Sequence, residues 1–132
     1  MATRGVRGAT TADGNDARSI AERTLELLRV LVELNEIRPE DLASAIFTVT
    51  DDLDAEFPAM PVRSLEGWAD VPLLCAREIP VAGAPGRCIR VLLHWNTDRP
   101  QSRIRHAFLR GARELRPAWA VRVPGDDDRE SR

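Results

Sequence analysis

Apolar residues recur at helical spacing between Asp16 and Glu36. Ile20, Thr24, Leu27, Leu28, Leu31 and Leu34 share one face, while Arg18, Glu22, Arg23, Glu26, Arg29 and Glu33 mostly occupy the others. This predicts a long amphipathic helix, led in by the turn and cap residues Thr11-Ala12-Asp13-Gly14-Asn15. Strand-like segments surround it. Residues 3–10 read as a first strand, and Ala43 to Thr50 as a second, with Phe47 and Val49 alternating against Ile46 and Thr48. Val71 to Ile79 and Arg87 to Thr97 read as the third and fourth, and the link Val81-Ala82-Gly83-Ala84-Pro85-Gly86 predicts an antiparallel hairpin. Asp51-Asp52-Leu53-Asp54 has helix-start character, followed over 55–65 by a short helix broken at Pro58 and Pro61. Pro100 to Leu115 predicts a second amphipathic helix on an Ile104, Ala107, Phe108, Ala112 and Leu115 stripe, ended by Pro117.

The expected architecture is therefore α+β. A mixed, mostly antiparallel sheet carries one long and one shorter helix on one face. A single domain spans residues 1–117, with a flexible tail over 118–132. Four strands leave two sheet edges to be covered, and a symmetric oligomer is one solution.

Three strand-like segments carry a charge where patterning asks for an apolar residue, and functional sites are expected at such conflicts. Arg90 interrupts Cys88-Ile89-Arg90-Val91-Leu92-Leu93, Arg7 sits in a glycine-rich apolar opening, and Glu78 ends the third strand. A guanidinium keeps its charge wherever the fold puts it. Burying it costs several kcal/mol unless an anion meets it. Alternation places Cys88, Arg90, Leu92 and His94 on one face, a mixture that suits a pocket or interface. Arg90 is equally open to pairing with an internal carboxylate such as Glu78. Strict alternation puts Cys75 and Glu78 on opposite faces. Taken singly, Cys75 reads as a small buried apolar residue, Phe57 and Phe108 as core, Arg63 and Arg116 as surface, and His106 as solvated.

Composition narrows the chemistry. All 19 basic residues are arginine and tyrosine is absent, which excludes a lysine Schiff base, a P-loop lysine and tyrosine acid–base catalysis. A formal net charge of −2 argues against general nucleic-acid binding. Two cysteines and two histidines show no metal-ligand spacing, so no metal is expected. No apolar run suits a membrane span and no secretory signal is visible, so the expected location is the cytoplasm. No nucleophile–base pair stands out. Several arginines and one carboxylate suit a small polyanion, or a reaction driven by positioning and electrostatics.

Taken together, the segments resemble the small trimeric class of monofunctional chorismate mutases, distinct from the all-helical class. The resemblance is carried by Arg4-Gly5-Val6-Arg7-Gly8-Ala9-Thr10-Thr11, Asp52-Leu53-Asp54-Ala55-Glu56-Phe57-Pro58-Ala59, Val62-Arg63, Gly67-Trp68, Val71-Pro72, Cys75, Glu78, Cys88-Ile89-Arg90-Val91, and Ile104-Arg105-His106 through Leu115-Arg116-Pro117. It implies a homotrimer with a barrel-like sheet core and active sites in clefts between subunits. It also implies a Claisen rearrangement of chorismate to prephenate without cofactor or metal. By carry-over, Arg90 would stabilise the ether oxygen and Arg7 the enolpyruvyl carboxylate, while Glu78 and Cys75 would hold the ring hydroxyl. Phe57 would pack on the substrate, and Arg63 and Arg116 would line the mouth. Leu74, Phe108 and Leu115 would complete the contacts. Phe108 stands where the family commonly has tyrosine, and Met60 where it often has lysine, which implies weaker ground-state binding. Two rival readings are a trimeric enamine or imine deaminase, and a non-catalytic module that binds an aromatic-pathway carboxylate.

Overall fold

The computed structural model describes residues 1–126. Its chain order is β1 (Ala2–Thr11), α1 (Ala17–Asn35), β2 (Leu42–Val49), β3 (Leu73–Arg77), β4 (Cys88–Thr97) and β5 (Ala107–Phe108), with short 3₁₀ turns between. The five strands form one sheet in the order β3-β2-β4-β1-β5. β4 pairs antiparallel with both β1 and β2, while β3 and β5 run parallel to their neighbours. The fold is α+β, with one long helix.

Helix α1 starts where Asp16 accepts the Ser19 N–H at 2.8 Å. It ends where Glu36 takes a left-handed φ of 57° and the Ile37 N–H donates to Val32 O at 3.1 Å. Its buried stripe, Ile20, Thr24, Leu27, Leu28, Leu31 and Asn35, packs on the sheet. Contact is close at Gly8, where a Cβ would lie 2.7 Å from Leu31 Cδ1. The main core joins Leu27, Leu28 and Leu31 to Val6, Phe47, Val91, Leu93 and Trp95. Apolar positions of β4 thus face the helix, and Arg90, Leu92 and His94 face away, as alternation required.

The expected hairpin between the third and fourth strands does not form, because β2 lies between them. Alternation reveals a strand's faces but not its neighbours, and β2 supplies backbone partners on both edges. The chain from 50 to 72 makes the crossover a parallel pair requires. It buries Ala59, Val62, Trp68 and Val71 in the core. Its only regular turn is a 3₁₀ segment at Pro61–Ser64. The Asp51–Asp54 helix start is also absent; Asp52 instead accepts the Arg87 N–H and the Thr50 hydroxyl.

The second amphipathic helix over 100–115 is likewise replaced. The segment runs through a 3₁₀ turn at Gln101–Arg103, strand β5 and a 3₁₀ stretch at Arg110–Leu115. Ile104, Ala107, Phe108 and Ala112 are still buried, so the stripe marked burial correctly and its period misled. Three hydrogen bonds favour extended chain. Asn35, fully buried, donates to Arg105 O and accepts the Arg105 N–H, both at 2.8 Å. The Leu109 N–H then donates to Ala9 O at 2.8 Å, pairing an edge of β1. Beyond Pro117, Val121 N–H donates to Phe108 O and Val123 joins the core. The remainder of the expected tail, 127–132, lies outside the described residues. Among the described residues no helix is long and apolar enough to cross a membrane.

Candidate active site

The sheet face opposite α1 carries Ser44, Ile46 and Thr48 from β2, Leu74 and Ala76 from β3, and Arg90, Leu92 and His94 from β4. Arg7 of β1 registers against Leu92 on the same face. Arg90 Nε lies 3.1 Å from Glu78 Oε1, with the two side chains 27% and 20% exposed. That nitrogen is buried and misaligned for a hydrogen bond, so the contact is electrostatic. The Thr48 hydroxyl donates to Glu78 Oε2 at 2.9 Å and fixes the carboxylate from below. Glu78 itself is placed by its N–H, which donates to Val49 O at 2.8 Å and prolongs the β2–β3 pairing. Arg7, Thr48, Glu78, Arg90 and Leu92 line a concavity of about 290 Å³. Ion pairing with Glu78 and a neighbouring space for a ligand therefore coexist.

The remaining expected residues fall into separate groups. Phe57 and Cys75 line a second concavity of about 370 Å³. Cys75 registers with the buried Phe47 and packs against the helix-side core, so it and Glu78 keep opposite faces. Phe57 and Leu74 are exposed apolar residues, 64% and 63%, and Arg63 is exposed on the 3₁₀ turn. Phe108 is fully buried with Ala9, Cys88 and Ala112, and Leu115 packs on that cluster. It meets the site through Arg7, whose guanidinium carbon lies 5.6 Å from the Phe108 ring centroid. Arg116 is exposed at the end of the same segment.

Two site neighbours escape a reading of the sequence. Thr48 looks like an ordinary strand residue, and only its register against Arg90 and Ala76 reveals its place. His106 is not solvated as expected: it accepts the Arg7 N–H at Nδ1, 2.9 Å away, and lies against Trp119 with centroids 4.1 Å apart. Burial, then the charges of Arg7 and Arg116, hold its pKa below the ordinary value. Burial also raises the Cys88 thiol pKa, with Arg90 opposing it, so Cys88 is a packing residue rather than a nucleophile.

The description "Chorismate mutase type I" matches residues 3–119, which include every one of these site residues. The chain belongs to the type I chorismate mutases. A chorismate mutase AroH of Thermus thermophilus is 51% identical over 115 residues, covering 86% of this chain and 93% of the relative. The chorismate mutase AroH of Bacillus subtilis is 43% identical over 117 residues, covering 89% and 92%. Among solved structures, a chorismate mutase from Clostridium thermocellum superposes with a TM-score of 0.81 at 45% identity, covering 84% of this chain and 98% of that one. Membership of the chorismate mutases selects the first of the three functional readings. It places the chain among the isomerases of aromatic amino acid biosynthesis.

Proposed function

We propose that this chorismate mutase converts chorismate to prephenate by holding the substrate in its compact conformer and by aiming Arg90 at the ether oxygen. The observation that carries the reading is Arg90 at the wall of the 290 Å³ concavity, with Glu78 as its only ion-pair partner among the described residues. Negative charge grows on the ether oxygen as its bond breaks. A preorganised cation there stabilises the transition state more than the ground state. A concerted rearrangement transfers no proton to the protein, which fits a site with no nucleophile–base pair.

Arg7 takes the enolpyruvyl carboxylate, and Glu78, fixed by Thr48, takes the ring hydroxyl. The two concavities hold different parts of the expected contact set, Arg7, Glu78 and Arg90 in one and Phe57 and Cys75 in the other. A homotrimer reconciles this: Phe57, Arg63, Leu74 and Cys75 of one protomer close over Arg7, Glu78, Arg90, Leu115 and Arg116 of its neighbour. Phe108 supports Arg7 from beneath. The half-buried Ile46 and Leu92 and the exposed Leu74 form the natural contact for that assembly. We place the enzyme in the cytoplasm, with no resident metal or cofactor.

The test is the purified protein with chorismate in the presence of a chelator, followed by loss of chorismate and appearance of prephenate. Sedimentation on the same sample reports the assembly. First-order conversion by a trimer is expected. Binding without conversion would overturn the catalytic reading, and full turnover by a monomer would overturn the shared cleft.

A further inference from the structure

The two arginines flanking His106 are joined by an aromatic block. The Arg116 guanidinium carbon sits 3.7 Å from the Trp119 ring centroid. Trp119 lies against His106 at 4.1 Å and edge-on to Phe108 at 5.8 Å. Phe108 carries the Arg7 guanidinium, and His106 Nδ1 accepts the Arg7 N–H. Backbone bonds lock the block together: the Trp119 N–H donates to Arg116 O at 2.8 Å, and the Val121 N–H to Phe108 O at 3.0 Å. The charges of both arginines, after burial, hold the His106 pKa down.

We propose that Trp119 is a positioning residue that holds the Arg116 guanidinium over its ring face, on the same aromatic block that carries Arg7, so that two cations spaced by aromatic rings meet the two carboxylates of chorismate. Two guanidiniums brought together without a spacer repel each other and swing toward solvent. A ring face attracts a cation through its quadrupole and also restricts a long, flexible side chain. The aromatic block therefore orders Arg116 before substrate arrives, and the benefit appears as affinity rather than turnover. This offsets part of the binding lost where Met60 and Phe108 replace a cation and a phenol. The inference rests on the reading of Arg116 as a substrate contact.

Steady-state kinetics on Trp119→Leu, Trp119→Phe, Arg116→Ala and the Arg116→Ala/Trp119→Leu pair tests it. Trp119→Leu keeps an apolar side chain and removes the ring face. KM for chorismate is expected to rise about two- to five-fold, the scale of an exposed cation–π contact. Turnover should stay within about two-fold, and Trp119→Phe should bring KM back toward the parent. In the Arg116→Ala background the leucine substitution should add nothing, because its effect runs through the missing guanidinium. An unchanged KM in Trp119→Leu, while Arg116→Ala raises it, would overturn the positioning role alone. An unchanged KM in Arg116→Ala would overturn the reading of Arg116 together with it. Equal KM effects of Trp119→Leu with and without Arg116 would show packing rather than positioning. Should Trp119→Leu fail to fold, Trp119→Met, which also lacks a ring face, takes its place: a KM rise abolished by Arg116→Ala supports the role, and no rise refutes it.

Discussion

Replacing Arg90 with methionine separates what that residue does for stability from what it does for the reaction. Methionine keeps much of the side-chain length and removes the charge. Glu78 Oε1 then loses a cation 3.1 Å away, while Oε2 keeps the Thr48 hydroxyl. At an effective dielectric near 20, a unit pair at that distance attracts by about 5 kcal/mol. Desolvation of both ions opposes this, and the side chains retain 27% and 20% exposure, so the net loss is about 1–2 kcal/mol. A domain of this size tolerates such a loss. The reaction suffers more, because losing one charge-stabilising donor costs about 10²–10³ in turnover. The pair Arg90→Met/Glu78→Gln removes the orphaned carboxylate. Its urea-unfolding free energy should return to within about 1 kcal/mol of the parent. Its chorismate turnover should stay as low as that of Arg90→Met. Turnover within ten-fold of the parent in Arg90→Met, or recovered turnover in the double variant, would refute a direct role for this guanidinium.

The folded His106 takes up a proton less readily than the unfolded chain, because burial and two arginines lower its pKa below 6.5. Its contribution to stability is complete above that value and is lost as pH falls through the folded pKa. Thermal unfolding from pH 7.5 to 5 should show a decline that His106→Phe lessens; identical pH profiles would exclude it. Asn35→Ala strips the Arg105 N–H and C=O of their partners and should cost about 2–3 kcal/mol in urea unfolding. A cost under about 0.5 kcal/mol would mean that water replaces those bonds. Ile46→Asp puts a charge on the uncovered sheet face and should dissociate the proposed trimer, with turnover lost in parallel; sedimentation of an intact, active trimer would contradict that contact face.

Alternation and period carried much of the fold. The stripe from Ile20 to Leu31 marked α1, and the Arg90-Leu92-His94 face emerged as predicted. What alternation cannot carry is adjacency. Nothing in residues 71–97 says that β2 will separate β3 from β4, since the backbone partners of both strands lie in residues 42–49. The segment after Pro100 failed for a related reason. A helix and a short edge strand can bury the same Ile104, Ala107 and Phe108, and the deciding bonds come from Asn35 and Ala9, about 70 and 100 residues earlier. The charged site residues were visible because they conflict with their apolar surroundings. Thr48, His106 and Trp119 were not, because each is unremarkable until its partners are known.

With β2 lodged between them, the strands that carry Glu78 and Arg90 stand two inter-strand spacings apart, about 9.5 Å. No short side chain bridges such a gap. Only a long acid and a long base, leaning toward each other across Thr48 as over a central pier, can touch. Reach is thus selected alongside charge: aspartate at position 78 would preserve the formal charge and still fall short. The Arg90–Glu78 pairing also exists only once three separate stretches of chain have aligned, which makes it a sensitive reporter of complete folding.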